Sequence, residues 1–414
     1  MTYSFAATHA KGKAATDKIF GANAAAVAAE AKYGKAAVVN ATIGALLDDN
    51  EVLTCLPTVE SVFRNLPTSE IIAYAPISGL PGYLEAAINL TFGNHKPEAY
   101  IDAVATAGGS GVIHHAIWNY TEIGNTVLTS DWFWGPYRVL CQDALRQLDT
   151  YQLFDENFNF NIKAFASKVN ELVAKQESLL VIINAPAHNP TGYSLTDAEW
   201  DQVIDVCKAV PKDKRITLLI DIAYLDYAGE ADESRAFMTK FGRLPENILS
   251  IFAFSMSKGY TMYGARCGAM IGVSSNKDVI TEFAAINQYT SRATWSNISR
   301  SPMQLLSTIY KDKALLASVE SERAGLYKLI RERADIFMEE AKDANLKMLP
   351  YIAGFFLTIP AKNPDAVCDK LHDDNIFAVP LGKGVRIAVC AVSAAKIKGM
   401  AEKVAKAMAG IDNK

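Results

Sequence analysis

The sequence contains little net charge, few cysteines and no long apolar run. Charged residues make up 21% of its 414 residues, and 41 lysines and arginines nearly balance 45 aspartates and glutamates. A net charge of −4 gives no general attraction to phosphate backbones or anionic membranes, so neither nucleic acid nor a membrane is an expected partner. The six cysteines are scattered singly without a Cys-x-x-Cys pair, so we expect no metal site and no redox pair.

Apolar residues are abundant but never form a membrane span. They make up 50% of the sequence, enough to build a large core, and the length suggests two domains. The longest apolar runs, such as Ile387 to Val392, are too short to cross a bilayer. The first residues lack the apolar stretch of a signal peptide, so a cytoplasmic location is expected.

Short β-branched runs alternate with amphipathic helical stretches up to about residue 270. This alternation predicts an α/β fold with a mostly parallel sheet covered by helices on both faces. The predicted strands are Val38–Asn40, Ala103–Thr106, Thr126–Ser130, Leu179–Asn184, Ile216–Asp221, Ile248–Phe252 and Ala269–Val273.

The pattern changes after about Tyr310. A long charged helix is predicted from Ala314 to Ala344, followed by short strands and a final helix over Ser393–Ala409. These later strands are predicted at Leu346–Leu349, Gly354–Ile359, Ile376–Leu381 and Val385–Val389. We therefore expect a large domain over 53–311 and a smaller α+β domain built from 1–52 and 312–414.

Lys258 lies in the segment Ser255-Met-Ser257-Lys258, directly after a predicted strand, and Arg266 follows soon after. A lysine in this position is most often a solvated charge. Here two serines and an arginine are close enough in sequence to form an anion pocket around the amine. A lysine whose pKa is lowered by burial or cationic neighbours is a nucleophile that forms Schiff bases with aldehydes.

Asp221 closes another predicted strand, and Tyr224 follows three residues later. The carboxyl ends of sheet strands are where α/β proteins bind ligands. Pyridoxal phosphate needs a carboxylate there, because a protonated ring nitrogen makes its ring an electron sink. The hydroxyl of Tyr224 could form a hydrogen bond with the 3-oxygen of that ring. A carboxylate that merely caps a following helix is the alternative interpretation.

Three further loops follow predicted strands. Asn189 lies in an Asn-Pro-Thr-Gly turn, and its amide suits a ring oxygen or a substrate carboxylate. Gly109 and Ser110 precede a predicted helix, where glycines let backbone N–H groups approach a phosphate. A plain turn is the alternative in both cases. Trp134 follows the strand Thr126–Ser130, where an indole can stack on a flat heteroaromatic ring.

Together these motifs give the sequence a family resemblance. Ser-x-Ser-Lys with Gly-x-Arg-x-Gly, Asp-x-Ala-Tyr and His-Asn-Pro-Thr-Gly resemble the class I, fold-type-I aminotransferases that depend on pyridoxal phosphate. The aspartate and aromatic aminotransferases are the nearest in pattern, and the resemblance covers nearly the whole chain. It implies a mostly parallel seven-stranded sheet between helices, a smaller α+β domain and a homodimer with shared active sites.

The resemblance also implies roles for individual residues. Lys258 matches the lysine that holds the cofactor and moves a proton between substrate and cofactor. Asp221 matches the partner of the ring nitrogen, Tyr224 and Asn189 match the partners of the 3-oxygen, and Trp134 matches the stacked indole. The residues that match phosphate ligands are Gly109, Ser110, Ser255, Arg266 and, from the neighbouring subunit, Tyr74.

The resemblance implies that two arginines bind carboxylates of the substrate. Arg386 matches the residue that clamps the α-carboxylate by a bidentate pair, beside the backbone of Gly44 and the amide of Asn189. Arg292 matches the residue that binds the distal carboxylate of aspartate or glutamate from across the dimer. Relatives with this arginine include dicarboxylate-specific enzymes and ones that also accept aromatic substrates, so the preferred donor stays open.

The loop sequences depart from the family pattern at two places. Ile298-Ser299 stands where relatives commonly carry prolines, and Gly108 stands where many carry serine or threonine. The path of the first loop is therefore not fixed by the resemblance, and the second change removes a possible phosphate hydroxyl.

The expected activity is transfer of an amino group from an L-amino acid to a 2-oxo acid, such as 2-oxoglutarate, by a ping-pong cycle. One alternative is another reaction on the same scaffold, such as β-elimination from a cysteine conjugate. A non-catalytic effector-binding domain is disfavoured, since no residues remain for an accompanying DNA-binding module.

Overall fold

The structure is a computed structural model that describes residues 4–14 and 18–412. Its strands are β1 (Val39–Asn40), β2 (Tyr100–Ala107), β3 (Thr126–Ser130), β4 (Gln147–Tyr151), β5 (Ser178–Asn184), β6 (Arg215–Asp221), β7 (Ile248–Ser255), β8 (Cys267–Ser274), β9 (Phe356–Pro360), β10 (Ile376–Phe377), β11 (Val379–Pro380) and β12 (Gly384–Ala388). Its α-helices are α1 (Lys18–Tyr33), α2 (Pro57–Arg64), α3 (Thr68–Ile72), α4 (Pro81–Phe92), α5 (Gly108–Tyr120), α6 (Pro136–Asp143), α7 (Ile162–Val173), α8 (Asp197–Lys208), α9 (Met256–Gly259), α10 (Lys277–Thr294), α11 (Arg300–Lys311), α12 (Lys313–Asp343), α13 (Pro364–Leu371), α14 (Ala394–Ile397) and α15 (Met400–Asp412).

A seven-stranded sheet in the order β2-β8-β7-β6-β5-β3-β4 forms the centre of the molecule. Its pairs are parallel except for β8, which runs antiparallel to both β2 and β7. The predicted α/β fold with a mostly parallel sheet is thus confirmed.

Helices cover both faces of this sheet. In β5, Leu180 and Ile182 pack into one buried cluster, whereas Val181 and Ile183 pack into another. Successive strand residues point to opposite faces, so a strand buried on both sides is apolar throughout. This explains why β5 and its neighbours could be recognised as unbroken hydrophobic runs.

Two strand assignments differ from the prediction. The edge strand β4 was missed, because Gln147–Tyr151 is polar and only its last residue is fully buried. Val38–Asn40 was expected among the strands of the alternating pattern, but the observed strand Val39–Asn40 pairs in parallel with β10, in a separate two-stranded sheet.

A third buried cluster, away from the seven-stranded sheet, brings together residues from near both ends of the chain. It joins Leu46 to side chains of α12, α15 and the three-stranded antiparallel sheet β11-β12-β9. The division into a large domain over 53–311 and a small domain over 1–52 and 312–414 stays a prediction.

Three details of this region were predicted wrongly. The predicted single strand Ile376–Leu381 is divided into β10 and β11, which belong to different sheets. Leu346–Leu349 forms no strand; the Leu349 N–H donates to the Thr358 carbonyl, and Pro350 then has no N–H to continue a ladder. The final helix is divided into α14 and α15 around Gly399, which has a φ of +76°. Within the described residues, no helix combines the length and the apolarity that a membrane crossing requires.

The sheet brings several predicted site residues to one edge. Asn184, Asp221 and Ser255 end the adjacent strands β5, β6 and β7. Strand β2 runs in the same direction as β7, because both are antiparallel to β8, and α5 begins directly after it at Gly108. The carboxyl edge of the sheet is therefore lined by polar side chains and a helix N-terminus.

Candidate active site

Lys258 lies on α9, the short helix that follows β7. The Ser255 hydroxyl caps this helix by accepting a hydrogen bond of 3.2 Å from the Ser257 N–H. The Lys258 amine donates to the Gly44 carbonyl, and its nitrogen lies 4.7 Å from the centre of the Tyr263 ring. Burial of the amine, together with the cationic Arg386 and Arg266, lowers the pKa of Lys258 from 10.5 to about 8.

Asp221 is buried at the end of β6, with 6% of its surface exposed. The Tyr137 hydroxyl donates a hydrogen bond of 2.6 Å to Oδ2, and the Ala223 N–H donates one of 3.2 Å to Oδ1. Burial raises the pKa of Asp221, while these two hydrogen bonds oppose that rise. The carboxylate thus lies in a dry position where a cationic partner would be strongly favoured.

Tyr224, Asn189 and Arg386 form a hydrogen-bonded row. The Asn189 amide donates to the Tyr224 hydroxyl at 3.3 Å, and its oxygen accepts from Nη1 of Arg386 at 3.3 Å. Arg386 is 2% exposed, donates from Nη2 to the Thr42 carbonyl at 2.8 Å and lies 4.3 Å from the Phe356 ring centre. The structure therefore brings these three predicted residues together. Two hydrogen bonds and one ring contact hold the Arg386 guanidinium in place.

The glycines at the start of α5 lie against Arg266 and Ser255. A Cβ at Gly108, which has a φ of +68°, would stand 2.8 Å from Nη2 of Arg266, and one at Gly109 would stand 3.7 Å from the Ser255 Cβ. Arg266 Nη1 donates to the Ser257 hydroxyl at 3.3 Å. A helix N-terminus, two serines and an arginine therefore converge, which suits an anion such as phosphate.

Ser110 and Trp134 are half-buried near these groups. Ser110 lies in the first turn of α5. The Trp134 ring meets the Tyr137 ring edge to face, with centroids 5.5 Å apart. Trp134 thus packs on the tyrosine that holds Asp221.

Tyr74 and Arg292 are exposed on the single chain. The Tyr74 side chain is 89% exposed, and its carbonyl accepts a hydrogen bond of 3.4 Å from Arg300. Arg292 lies near the end of α10 and donates to the Ser296 hydroxyl at 2.5 Å. These two contacts do not connect either residue with Lys258 or Asp221, so their predicted roles require a second subunit.

One site residue was not among the predicted ones. Tyr137 could not be recognised, because nothing in the sequence links α6 to Asp221, which is 84 residues away. Ser257 is one of the two serines expected to form an anion pocket with Arg266, and the structure shows its hydroxyl accepting a hydrogen bond from Arg266.

His188 plays a structural part next to Asn189. Its Nδ1 lies 2.8 Å from the Thr191 hydroxyl, and burial lowers the pKa of His188 to about 3. The ring is therefore neutral and holds the turn. Within the residues that the structure describes, no group of three or more histidine, cysteine or carboxylate side chains could hold a metal ion.

The fold and this site can now be compared with known proteins. The family model "Aminotransferase class I and II" matches residues 36–404. The chain therefore belongs to this family of aminotransferases, and amino-group transfer is its class of reaction.

Particular relatives point to two substrate groups. The chain is 25% identical over 390 residues to an aromatic-amino-acid aminotransferase of Escherichia coli, covering 90% of this chain and 93% of that protein. It is 27% identical over 332 residues to an aspartate aminotransferase of Pseudomonas aeruginosa, covering 78% of this chain and 80% of that protein.

Solved structures agree with the fold. An aminotransferase of Anaerococcus prevotii has 39% sequence identity and a TM-score of 0.96, covering 98% of this chain and 100% of that one. An aromatic-amino-acid aminotransferase of Burkholderia pseudomallei, covalently bound to pyridoxal phosphate, has 23% identity and a TM-score of 0.80, covering 97% of this chain and 100% of that one. The second likeness supports the fold alone.

Proposed function

We propose that the protein uses pyridoxal phosphate, held at Lys258, to move the amino group of aspartate, glutamate or an aromatic amino acid to a 2-oxo acid. The observation that carries this proposal is the Lys258 amine with a pKa of about 8, in the same site as the buried Asp221 carboxylate. An amine of this kind reacts with an aldehyde near neutral pH, whereas an ordinary lysine is almost fully protonated there.

The residues present suit this cofactor. Asp221 would hold a proton on the ring nitrogen, since a buried carboxylate favours a cationic partner. Tyr224 and Asn189 would bind the 3-oxygen, and Trp134 would stack on the ring. The proposed phosphate ligands are Gly109, Ser110, Ser255 and Arg266, with Ser257 added by its contact to Arg266.

Lys258 is the proposed catalytic residue. When bound, pyridoxal phosphate supplies the aldehyde that takes the amino group and a ring that accepts electrons from the substrate Cα. The substrate amine would take the place of Lys258 on the cofactor, and the released Lys258 nitrogen would then take the proton from Cα as a general base. Its hydrogen bond to the Gly44 carbonyl keeps the nitrogen oriented before the cofactor binds.

Arg386 is proposed to bind the substrate α-carboxylate. Its contacts with Thr42, Asn189 and the Phe356 ring hold the guanidinium in place before the substrate arrives. A preorganised arginine loses less entropy on binding a carboxylate than a mobile one. The backbone of Gly44 borders the same position.

The proposed assembly is a homodimer with shared active sites. Tyr74 would reach the phosphate of the neighbouring subunit, and Arg292 would bind a distal substrate carboxylate there. The exposure of both side chains on the single chain supports this arrangement. The cytoplasmic location likewise stays a prediction.

An assay with aspartate and 2-oxoglutarate tests the proposed reaction. We expect oxaloacetate and glutamate, each half-reaction proceeding alone as a ping-pong cycle requires. Pyruvate and ammonia formed from a cysteine conjugate, without amino transfer from any donor, would instead support the alternative β-lyase.

A further inference from the structure

A cavity of about 230 Å³ lies next to the lysine helix, apart from the residues assigned above to the substrate. It is lined by Asp226 and Tyr260, and a Cβ added at Gly259 would collide with Oδ2 of Asp226. The volume exceeds the ~10–15 Å³ that one water needs but is below the ~300 Å³ typical of drug-sized ligands. Its size suits a small metabolite.

The inner wall of the cavity carries an excess of positive charge. Arg235 and Arg323 both pair with Asp226, at 2.8 Å and 2.9 Å, and these two arginine side chains are 10% and 11% exposed. Burial alone would raise the pKa of Asp226, but Arg323 and Arg235 hold it below its usual range. Arg235 also donates to the Leu90 and Ala231 carbonyls, at 3.1 Å and 2.8 Å, so Arg323 is the arginine that leaves room for a second anionic group.

One hydroxyl group on the lining residues has no partner. Thr91 is 0% exposed. Its Oγ1 has no hydrogen-bond partner among residues 4–14 and 18–412, whereas the Tyr260 hydroxyl is hydrogen-bonded to Arg323. Because buried polar groups are almost always satisfied, the cavity that Thr91 lines is the place where a partner for its hydroxyl would lie.

The mouth of the cavity has the opposite charge. Glu230, Asp232 and Glu320 line it and are exposed. Asp232 already pairs with His95 at 3.1 Å, and the backbone N–H groups of Glu233, Asp232 and Ala231 lower the pKa of Glu230. A simple anion is repelled at this mouth, and a simple cation is repelled by the arginines inside.

We propose that this cavity binds a small free amino acid as a zwitterion. Its carboxylate would lie inward, near Arg323 and Thr91, and its ammonium group outward, near Glu230 and Glu320. Arg386 and Asp221 take no part in this second site, whereas Ser255, a proposed phosphate ligand, also lines the cavity.

Calorimetric titration of the holoenzyme with L-proline tests this site. Proline is a zwitterion, and its secondary amine cannot complete amino transfer. The titration is repeated on Arg386→Gln, which removes carboxylate binding at the substrate site. We expect saturable binding to persist in Arg386→Gln; its absence there would overturn the proposal.

A variant of the unpartnered hydroxyl locates the binding. Thr91→Val, made in the Arg386→Gln background, should weaken proline binding about three- to tenfold. It removes a group without a hydrogen-bond partner among the described residues, so the fold should persist. Thr54→Val is the matched control, because Oγ1 of Thr54 also has no partner among the described residues but Thr54 does not line the cavity. Unchanged affinity in Thr91→Val, or equal weakening in the control, would contradict the proposed location.

Two analogues with the same ring size test the zwitterion. Cyclopentanecarboxylate lacks the ammonium group and pyrrolidine lacks the carboxylate. We expect each to bind at least tenfold more weakly than proline, and Glu320→Gln to weaken the binding of proline and pyrrolidine but not that of cyclopentanecarboxylate. Equal binding of either analogue would show that the cavity is not selective for a zwitterion.

Discussion

The Tyr137 hydroxyl donates a hydrogen bond of 2.6 Å to Oδ2 of Asp221. Burial raises the pKa of Asp221, and this hydrogen bond opposes that rise. The tyrosine therefore favours the ionised carboxylate, which is the form that holds a proton on a bound ring nitrogen. Tyr137 thus supports the central electrostatic contact of the proposed site.

Replacing this tyrosine should weaken cofactor binding. In Tyr137→Phe the pKa of Asp221 rises further, and the loss of a hydrogen bond to a charged group, worth about 1.5–3 kcal/mol, predicts roughly tenfold or greater loss of affinity. Equilibrium dialysis of pyridoxal phosphate measures it. Tyr120→Phe is the control, since Tyr120 is bonded to Asn287 instead. Equal affinities in wild type and Tyr137→Phe would rule out this role.

The pKa of Lys258 predicts how cofactor uptake depends on pH. Only the neutral amine attacks an aldehyde, so the rate at which cofactor-free protein takes up pyridoxal phosphate should rise with pH. The midpoint should lie near the lowered pKa of about 8. Stopped-flow absorbance over pH 6–11, with the titration of the free cofactor subtracted, measures this rate. A midpoint near the ordinary lysine value of ~10.4 would contradict the assigned environment.

Two glycines with positive φ allow a matched test of the proposed phosphate site at the start of α5. Gly108→Ala places a Cβ 2.8 Å from Arg266, whereas Gly124, with a φ of +87°, has no atom within 4 Å of its Cβ position. Both substitutions strain the backbone by about 1 kcal/mol. We expect similar losses of thermal stability but at least a tenfold loss of cofactor affinity in Gly108→Ala alone. A similar affinity in both variants would place the phosphate elsewhere.

The roles of Arg386 and Arg292 can be distinguished by measuring kcat/KM for a panel of amino donors. The panel contains aspartate, glutamate, tyrosine, phenylalanine, tryptophan and alanine. Arg386→Lys loses the bidentate geometry for the α-carboxylate, so kcat/KM should fall roughly 100-fold for every donor. Arg292→Ala should reduce kcat/KM for aspartate and glutamate only. An equal loss of kcat/KM for every donor in Arg292→Ala would show that this arginine does not bind the side-chain carboxylate of the donor.

The sequence predicted those parts of the fold that depend on local pattern. Strand Thr126–Ser130 was placed with its observed bounds, because buried parallel strands are short apolar runs between turns. The edge strand Gln147–Tyr151 has no such pattern, since its pairing with β3 on one side leaves most of it partly exposed. The formation of this edge strand therefore depends on its pairing with β3 rather than on the pattern of its own residues.

Within the candidate site, the motifs and the family resemblance predicted roles for Lys258, Asp221 and Arg386, but not the contacts that hold these side chains. The Gly44 carbonyl lies 214 residues from Lys258, and the Thr42 carbonyl lies 344 residues from Arg386. Backbone carbonyls leave no mark on residue identity, so these contacts appear only after folding. The same holds for the cavity beside α9, whose polar lining comes from four separate stretches of chain, namely α4, α12 and the segments after β6 and β7.

The central claim is that Lys258 is the residue that holds the cofactor. Borohydride reduction of the holoenzyme, followed by peptide mass mapping, tests it most directly. The account predicts one added cofactor mass on the peptide that contains Lys258, and none in Lys258→Ala treated in the same way. A cofactor mass on another lysine, or none in the wild type, would contradict it.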